Sequence, residues 1–256
     1  MSDLGAWAWC ALAAAALIVG LSKTAVPGAG TLAVALFAAV LPAKQSTGAL
    51  LILLIVADVF AVTMYRRHAD WRTLWRLAPA VGVGIVAGAV FMAFADDAWM
   101  KRTIGVILLA VIAITLWRRR VSAGGVARGA SPVSADAPPR RVAAVTYGSL
   151  GGFTTMVANA AGPVMSMYFL ASRFEVKAFL GTAAWFFAIV NVAKVPFSVA
   201  IGIITPQSLV LDLVLVPVVV VGAFLGRWVA DRIDQRVFER LVIGFTVVGA
   251  VYLLVS

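Results

Sequence analysis

Two short stretches gather hydroxyls, an amide, a lysine and helix-breaking residues between long apolar runs. The first reads Gly20-Leu21-Ser22-Lys23-Thr24-Ala25-Val26-Pro27-Gly28-Ala29-Gly30. The second reads Gly151-Gly152-Phe153-Thr154-Thr155-Met156-Val157-Ala158-Asn159-Ala160-Ala161-Gly162-Pro163. Proline cannot continue a helix without losing a hydrogen bond, and glycine tolerates the dihedrals of a break. Interrupted helices aim free N–H groups and the positive ends of their dipoles at the gap, an arrangement suited to anions. Lys23 adds positive charge; Ser22, Thr24, Thr154, Thr155 and Asn159 add hydrogen bonds, with Gly28, Gly30 and Gly162 beside them in the breaks. A sulfonate, with its acceptor oxygens and single negative charge, matches that inventory, as do many carboxylates and other oxyanions. The competing reading is an ordinary turn at the membrane surface, with Lys23 reaching into headgroups.

Two more ionisable residues lie within apolar runs. Asp58 is in the middle of Thr47–Tyr65, and Lys194 follows Asn191 in the run Phe179–Ile204. A charge inside the membrane costs at least a few kcal/mol and is usually functional. Asp58 is therefore a candidate for proton or cation coupling, and Lys194 for attracting substrate. Against this stands a structural ion pair or polar clamp between two halves of the protein, and Lys194, near Pro196, is also within snorkelling reach of the outer surface. Trp185, Phe186 and Phe187 could form an aryl pocket, although packing explains them more simply. With one histidine, one cysteine and scattered acids, the sequence argues against a metal centre and a membrane-embedded enzyme. It carries no Gly-rich Lys-Ser/Thr nucleotide loop. No cofactor is expected.

These groups must be held by helices in a bilayer. Of the 256 residues 63% are hydrophobic and 12% charged, against about half and about a quarter in soluble domains. Apolar runs at Thr47–Tyr65, Trp75–Phe94, Thr103–Trp117, Leu209–Trp228 and Val237–Val255 approach or reach the roughly 17–25 residues that cross about 30 Å of hydrocarbon. Their glycines and prolines do not fit a β-barrel, whose strands alternate over about ten residues. The N-terminus starts acidic, unlike a secretory signal, so residues 5–22 are expected in the mature protein. The net charge of +10 is concentrated in the breaks between runs, where arginines set topology; the expected partners are lipid and a small anion rather than nucleic acid, with self-association left open.

The runs fall into two groups: residues 1–117 and 142–256, separated by a basic linker, 118–141, with six arginines and one acid. Pro79-x4-Gly84-x3-Gly88 recurs as Pro217-x4-Gly222-x3-Gly226, Gly105 matches Gly244, Gly30 matches Gly162, and Asp58 matches Asn191. Loop charge then orients the groups. Arg66–Arg76 holds four arginines and one acid, whereas the counterpart Pro196–Ser208 is uncharged; Asp96–Arg102 is balanced, whereas Arg227–Arg240 holds four arginines and three acids. With basic loops cytoplasmic, the two copies are inverted, a common transporter architecture. The expected fold is an all-α integral membrane protein of two inverted repeats. Each consists of a leading broken or hairpin segment plus three transmembrane helices.

The opening run ending in a Gly-rich break, its recurrence after a basic central loop, and the twin Pro-x4-Gly-x3-Gly helices resemble the TauE/SafE sulfite-exporter family over nearly the whole chain. The resemblance implies a bacterial inner-membrane permease for sulfite, sulfoacetate, taurine-related or aryl sulfonates, with uptake as well as export among its members. A family Gly-Gly-Gly cluster is replaced here by Lys23-Thr24-Ala25-Val26-Pro27-Gly28, and the added lysine favours a strongly acidic anion. On this reading the protein is a secondary transporter of small sulfur-containing anions, coupled to a proton or ion gradient. An anion channel, or a transporter of other small organic anions such as carboxylates, is the alternative.

Overall fold

Backbone N–H and C=O groups find no water inside a hydrocarbon layer, so a chain crossing it closes its hydrogen bonds within each segment. The computed structural model describes residues 5–25, 29–107, 109–110, 113, 140–171 and 176–230; among them helices dominate and no strand occurs. In chain order the helices are α1 (Ala6–Thr24), α2 (Gly30–Val40), α3 (Ala43–Tyr65), α4 (Trp71–Phe94), α5 (residues 97–107), α6 (Arg140–Ala158), α7 (Ala161–Ala171), α8 (Val176–Ala200) and α9 (Pro206–Ala230). A 3-10 turn over Arg66–His68 follows α3. The run Val237–Val255, the end of Thr103–Trp117 and most of the basic linker lie outside the described residues.

Among the described residues, five helices are long and apolar enough to cross a membrane: Ala6–Thr24, Ala43–His68, Trp71–Phe94, Ala178–Ala200 and Pro206–Trp228. Their outer faces carry exposed Val83, Val86 and Val90 on α4 and Leu213, Val214 and Val221 on α9, side chains for which lipid rather than water is the matching solvent. Trp71, Trp75, Trp99 and Trp228 are exposed near helix ends, where indole rings suit the headgroup layer. The protein is a multi-pass membrane protein. By contrast α2 and α7 have 11 residues each and rise only about 16 Å, too little to cross alone. Each leading hairpin therefore pairs a full-length arm (α1 or α6, 19 residues) with a half-length one.

The sequence places a loop over Pro196–Ser208; the structure shortens it to residues 201–205, since α8 continues through Pro196 to Ala200. Proline removes one bond, but leaving the helix early would strand several more backbone groups in apolar surroundings. The short loop is closed by Gly202 at φ 78° and by Ile203 N–H donating to the Ser198 carbonyl at 3.1 Å. Thr205 and Ser208 then cap α9 reciprocally, each backbone N–H donating to the other's hydroxyl at 3.0 and 3.1 Å, with Pro206 at the first helical position. At the start of α4, the Asp70 carboxylate accepts from Arg72 N and Thr73 N at 3.0 and 3.3 Å.

Packing between the halves is reciprocal. α1 lies along α9, and α6 lies along α4. Gly20 of α1 abuts the backbone of Val219, Gly222 and Ala223; Gly152 of α6 abuts that of Val81, Gly84 and Ile85. These are matched positions, and a Cβ at any of the four glycines would overlap backbone atoms. Gly48 near the start of α3 lies against Ile203 just past the end of α8, and Gly181 near the start of α8 lies against Tyr65 and His68 at the end of α3. The matched helices α3 and α8 thus run antiparallel.

Candidate functional site

The facing ends of α1 and α2, and of α6 and α7, meet at the crossing of α3 and α8. Lys23, in the last turn of α1, puts its Nζ 2.7 Å from Asp58 Oδ1 on α3, with the two side chains 11% and 2% exposed. The same ammonium lies 4.2 Å from the centroid of the Phe187 ring on α8, a desolvated cation–π contact worth about 2 kcal/mol. Asp58 Oδ2 accepts a 2.6 Å hydrogen bond from Asn191 Nδ2. Asp58 and Asn191, matched in the sequence, therefore meet directly.

Lys194, one turn beyond Asn191, is 1% exposed. Its Nζ donates to the Thr155 carbonyl at 2.9 Å, to Thr155 Oγ1 at 3.1 Å and to Asn159 Oδ1 at 2.6 Å, which occupies all three ammonium protons. Asn159 ends α6 at φ 51°, a left-handed conformation that asparagine tolerates better than most residues. Its Nδ2 donates to the Thr47 carbonyl at 3.0 Å, and Thr47 Oγ1 reaches the Val157 carbonyl at 3.2 Å. The break in α6 is thus tied to α3 on one side and α8 on the other.

Between these groups is a cavity of about 40 Å³. A water needs about 10–15 Å³ on this measure, so the space holds roughly three or four water-sized groups, the bulk of a compact anion. Of the sequence-derived candidates, Ser22, Lys23, Gly30, Asp58, Thr155, Asn159 and Gly162 line it. Lys194 stands behind that lining, buried and bonded to Thr155 and Asn159. Thr24 and Thr154 turn elsewhere. The Thr24 hydroxyl lies 3.1 Å from the Gly20 carbonyl and 2.9 Å from that of Ala223, in the α1–α9 seam. The Thr154 hydroxyl donates to the Leu150 carbonyl at 2.7 Å. Gly28 lies outside the described residues.

The remaining lining includes Thr31, Leu54, Phe187 and Asn191. Asn191 was legible as the match of Asp58, and Phe187 belongs to the aromatic cluster that packing also explains; Thr31 and Leu54 left no signal beyond their place on an apolar helix. Asp58 pairs with Lys23 rather than Lys194, a choice no spacing rule could make. The cluster brings two lysines and one aspartate together at the cavity, with Lys23 and Asp58 in its lining. It can hold a small monoanion and exchange the partner of Lys23.

The family profile described as sulfite exporter TauE/SafE matches residues 12–253. No curated protein and no solved structure matches the chain.

Proposed function

The chain belongs to the sulfite exporter TauE/SafE family, and on that premise we propose that it moves a compact sulfur oxyanion across the bacterial inner membrane by alternating access, coupled to a proton. The observation that carries this reading is the buried Lys23–Asp58 pair facing a cavity of about 40 Å³ at the meeting of two helix breaks. The substrate anion replaces Asp58 as the partner of Lys23. Because an unpaired buried carboxylate is costly, Asp58 takes up a proton as the anion enters, and the two charges travel together. The cavity volume supports sulfite or a short alkyl sulfonate over an aryl sulfonate. Export is the direction that the family description supports, driven by the outward anion gradient, which carries the proton with it.

The halves 1–117 and 142–256, joined by the basic segment 118–141, act as inverted repeats. The antiparallel crossing of α3 and α8 and the reciprocal glycine contacts support that arrangement. Ser22, Lys23, Thr155 and Asn159 form the substrate site, with Lys194 holding Thr155 and Asn159 in place. Purified protein in proteoliposomes, given labelled sulfite, methanesulfonate and an aryl sulfonate under imposed pH gradients, tests this. Sulfite or methanesulfonate should move and the aryl sulfonate should lag; no flux of any of them under any gradient overturns the proposal. Unitary currents would mark a channel instead.

A further inference from the structure

Asn191 holds an acceptor that no described residue uses. Its side chain is 1% exposed and lines the cavity. Its orientation is fixed by Asp58: while ionised, a carboxylate oxygen can only accept, so the 2.6 Å contact to Asp58 Oδ2 requires the amide nitrogen there; the proton taken up with the anion goes to Oδ1, the oxygen that Lys23 releases, and Oδ2 remains the acceptor. The amide oxygen Oδ1 is left buried and, among the described residues, without a hydrogen-bond partner. The amide oxygen of Asn159, by comparison, already accepts from Lys194 at 2.6 Å.

A bare oxyanion offers only acceptor oxygens and would leave this group unsatisfied. We propose that the cavity selects a compact monoanion carrying its own O–H or N–H, and that Asn191 Oδ1 accepts from that donor while Lys23 takes the negative charge. The one lysine in the lining, Lys23, and the cavity of about 40 Å³ restrict the ligand to the same class: a protonated or amino-bearing oxyanion rather than a dianion. Asn191 thereby determines specificity between ligands of equal size and charge. The inference rests on the cavity being the substrate site.

Sulfamate and methanesulfonate provide the test, being monoanions of nearly the same shape that differ by NH2 in place of CH3. Calorimetric titration of the detergent-solubilised full chain should show sulfamate binding about tenfold more tightly, which is about 1.4 kcal/mol. In Asn191→Leu, of similar shape but unable to accept, the ratio of the two affinities should fall to about one. Equal affinities in the wild-type protein, or tighter methanesulfonate, overturn the inference and leave the sulfur-oxyanion reading standing. A preference that persists in Asn191→Leu also overturns it. Failure of both anions, and of sulfite, to bind overturns both readings together. If the variant does not fold, the wild-type comparison alone still decides.

Discussion

Removing either member of the Lys23–Asp58 pair should cost far more than removing both. The two side chains are 11% and 2% exposed and 2.7 Å apart, so neither charge has water to fall back on. Breaking a buried pair by deleting one partner typically costs about 3–5 kcal/mol, whereas replacing both by groups of similar volume is often neutral. In Asp58→Asn, Lys23 keeps the Phe187 ring at 4.2 Å, worth about 2 kcal/mol, and a neutral amide oxygen in place of its counter-charge. A loss of about 3 kcal/mol follows for Asp58→Asn. Lys23→Met should lose slightly more, since the carboxylate then retains one neutral donor, Asn191. The double variant should lie within about 1 kcal/mol of wild type, a coupling of at least about 2 kcal/mol between the sites. For a chain of this size about 1 kcal/mol shifts the thermal midpoint by roughly 2–4 °C. Each single variant should therefore unfold about 6–12 °C lower in detergent, and the double variant should recover most of that. Additive losses would refute the pairing. The double variant is also the proper test of anion binding, because Lys23→Met alone confounds lost charge with lost fold.

Three further outcomes follow from the same geometry. Asp58→Asn should flatten the pH dependence of transport measured as initial rates in proteoliposomes, since the groups facing Asp58 are Lys23 from α1 and Asn191 and Lys194 from α8 and none of them replaces a carboxylate; an unchanged profile removes Asp58 from coupling. Gly222→Leu should abolish monodisperse protein on size exclusion because its Cβ meets the Leu17 carbonyl, whereas Gly82→Ala, with nothing within 4 Å of its Cβ, should be neutral or raise stability by about 0.5–1 kcal/mol. Asn159→Gly should unfold at a higher temperature than Asn159→Ala by the equivalent of about 1 kcal/mol: both lose the bonds to Thr47 and Lys194, but only glycine keeps φ 51° without strain; equal midpoints would show that the bonds alone decide.

The membrane class and the helical content were written in the sequence, because each follows from local quantities. Hydropathy over about 20 residues decides what can enter a bilayer, and the spacing of small residues such as Gly84, Gly88, Gly222 and Gly226 decides where helix backbones can touch. The breaks at Lys23 and Asn159 were legible for the same reason, as interruptions in apolar runs. Which polar groups meet was not. Asp58 could have faced Lys194, one turn from its repeat partner Asn191, but the approach of α1 gives it Lys23. Thr24 and Thr154 carry the same hydroxyl chemistry as Thr155, yet one lies in the α1–α9 seam and the other bonds back to its own helix. Side chains around a helix differ by about 100° per residue. Only the packing of α1 on α9 and of α6 on α4 fixes which of three adjacent residues faces the cavity.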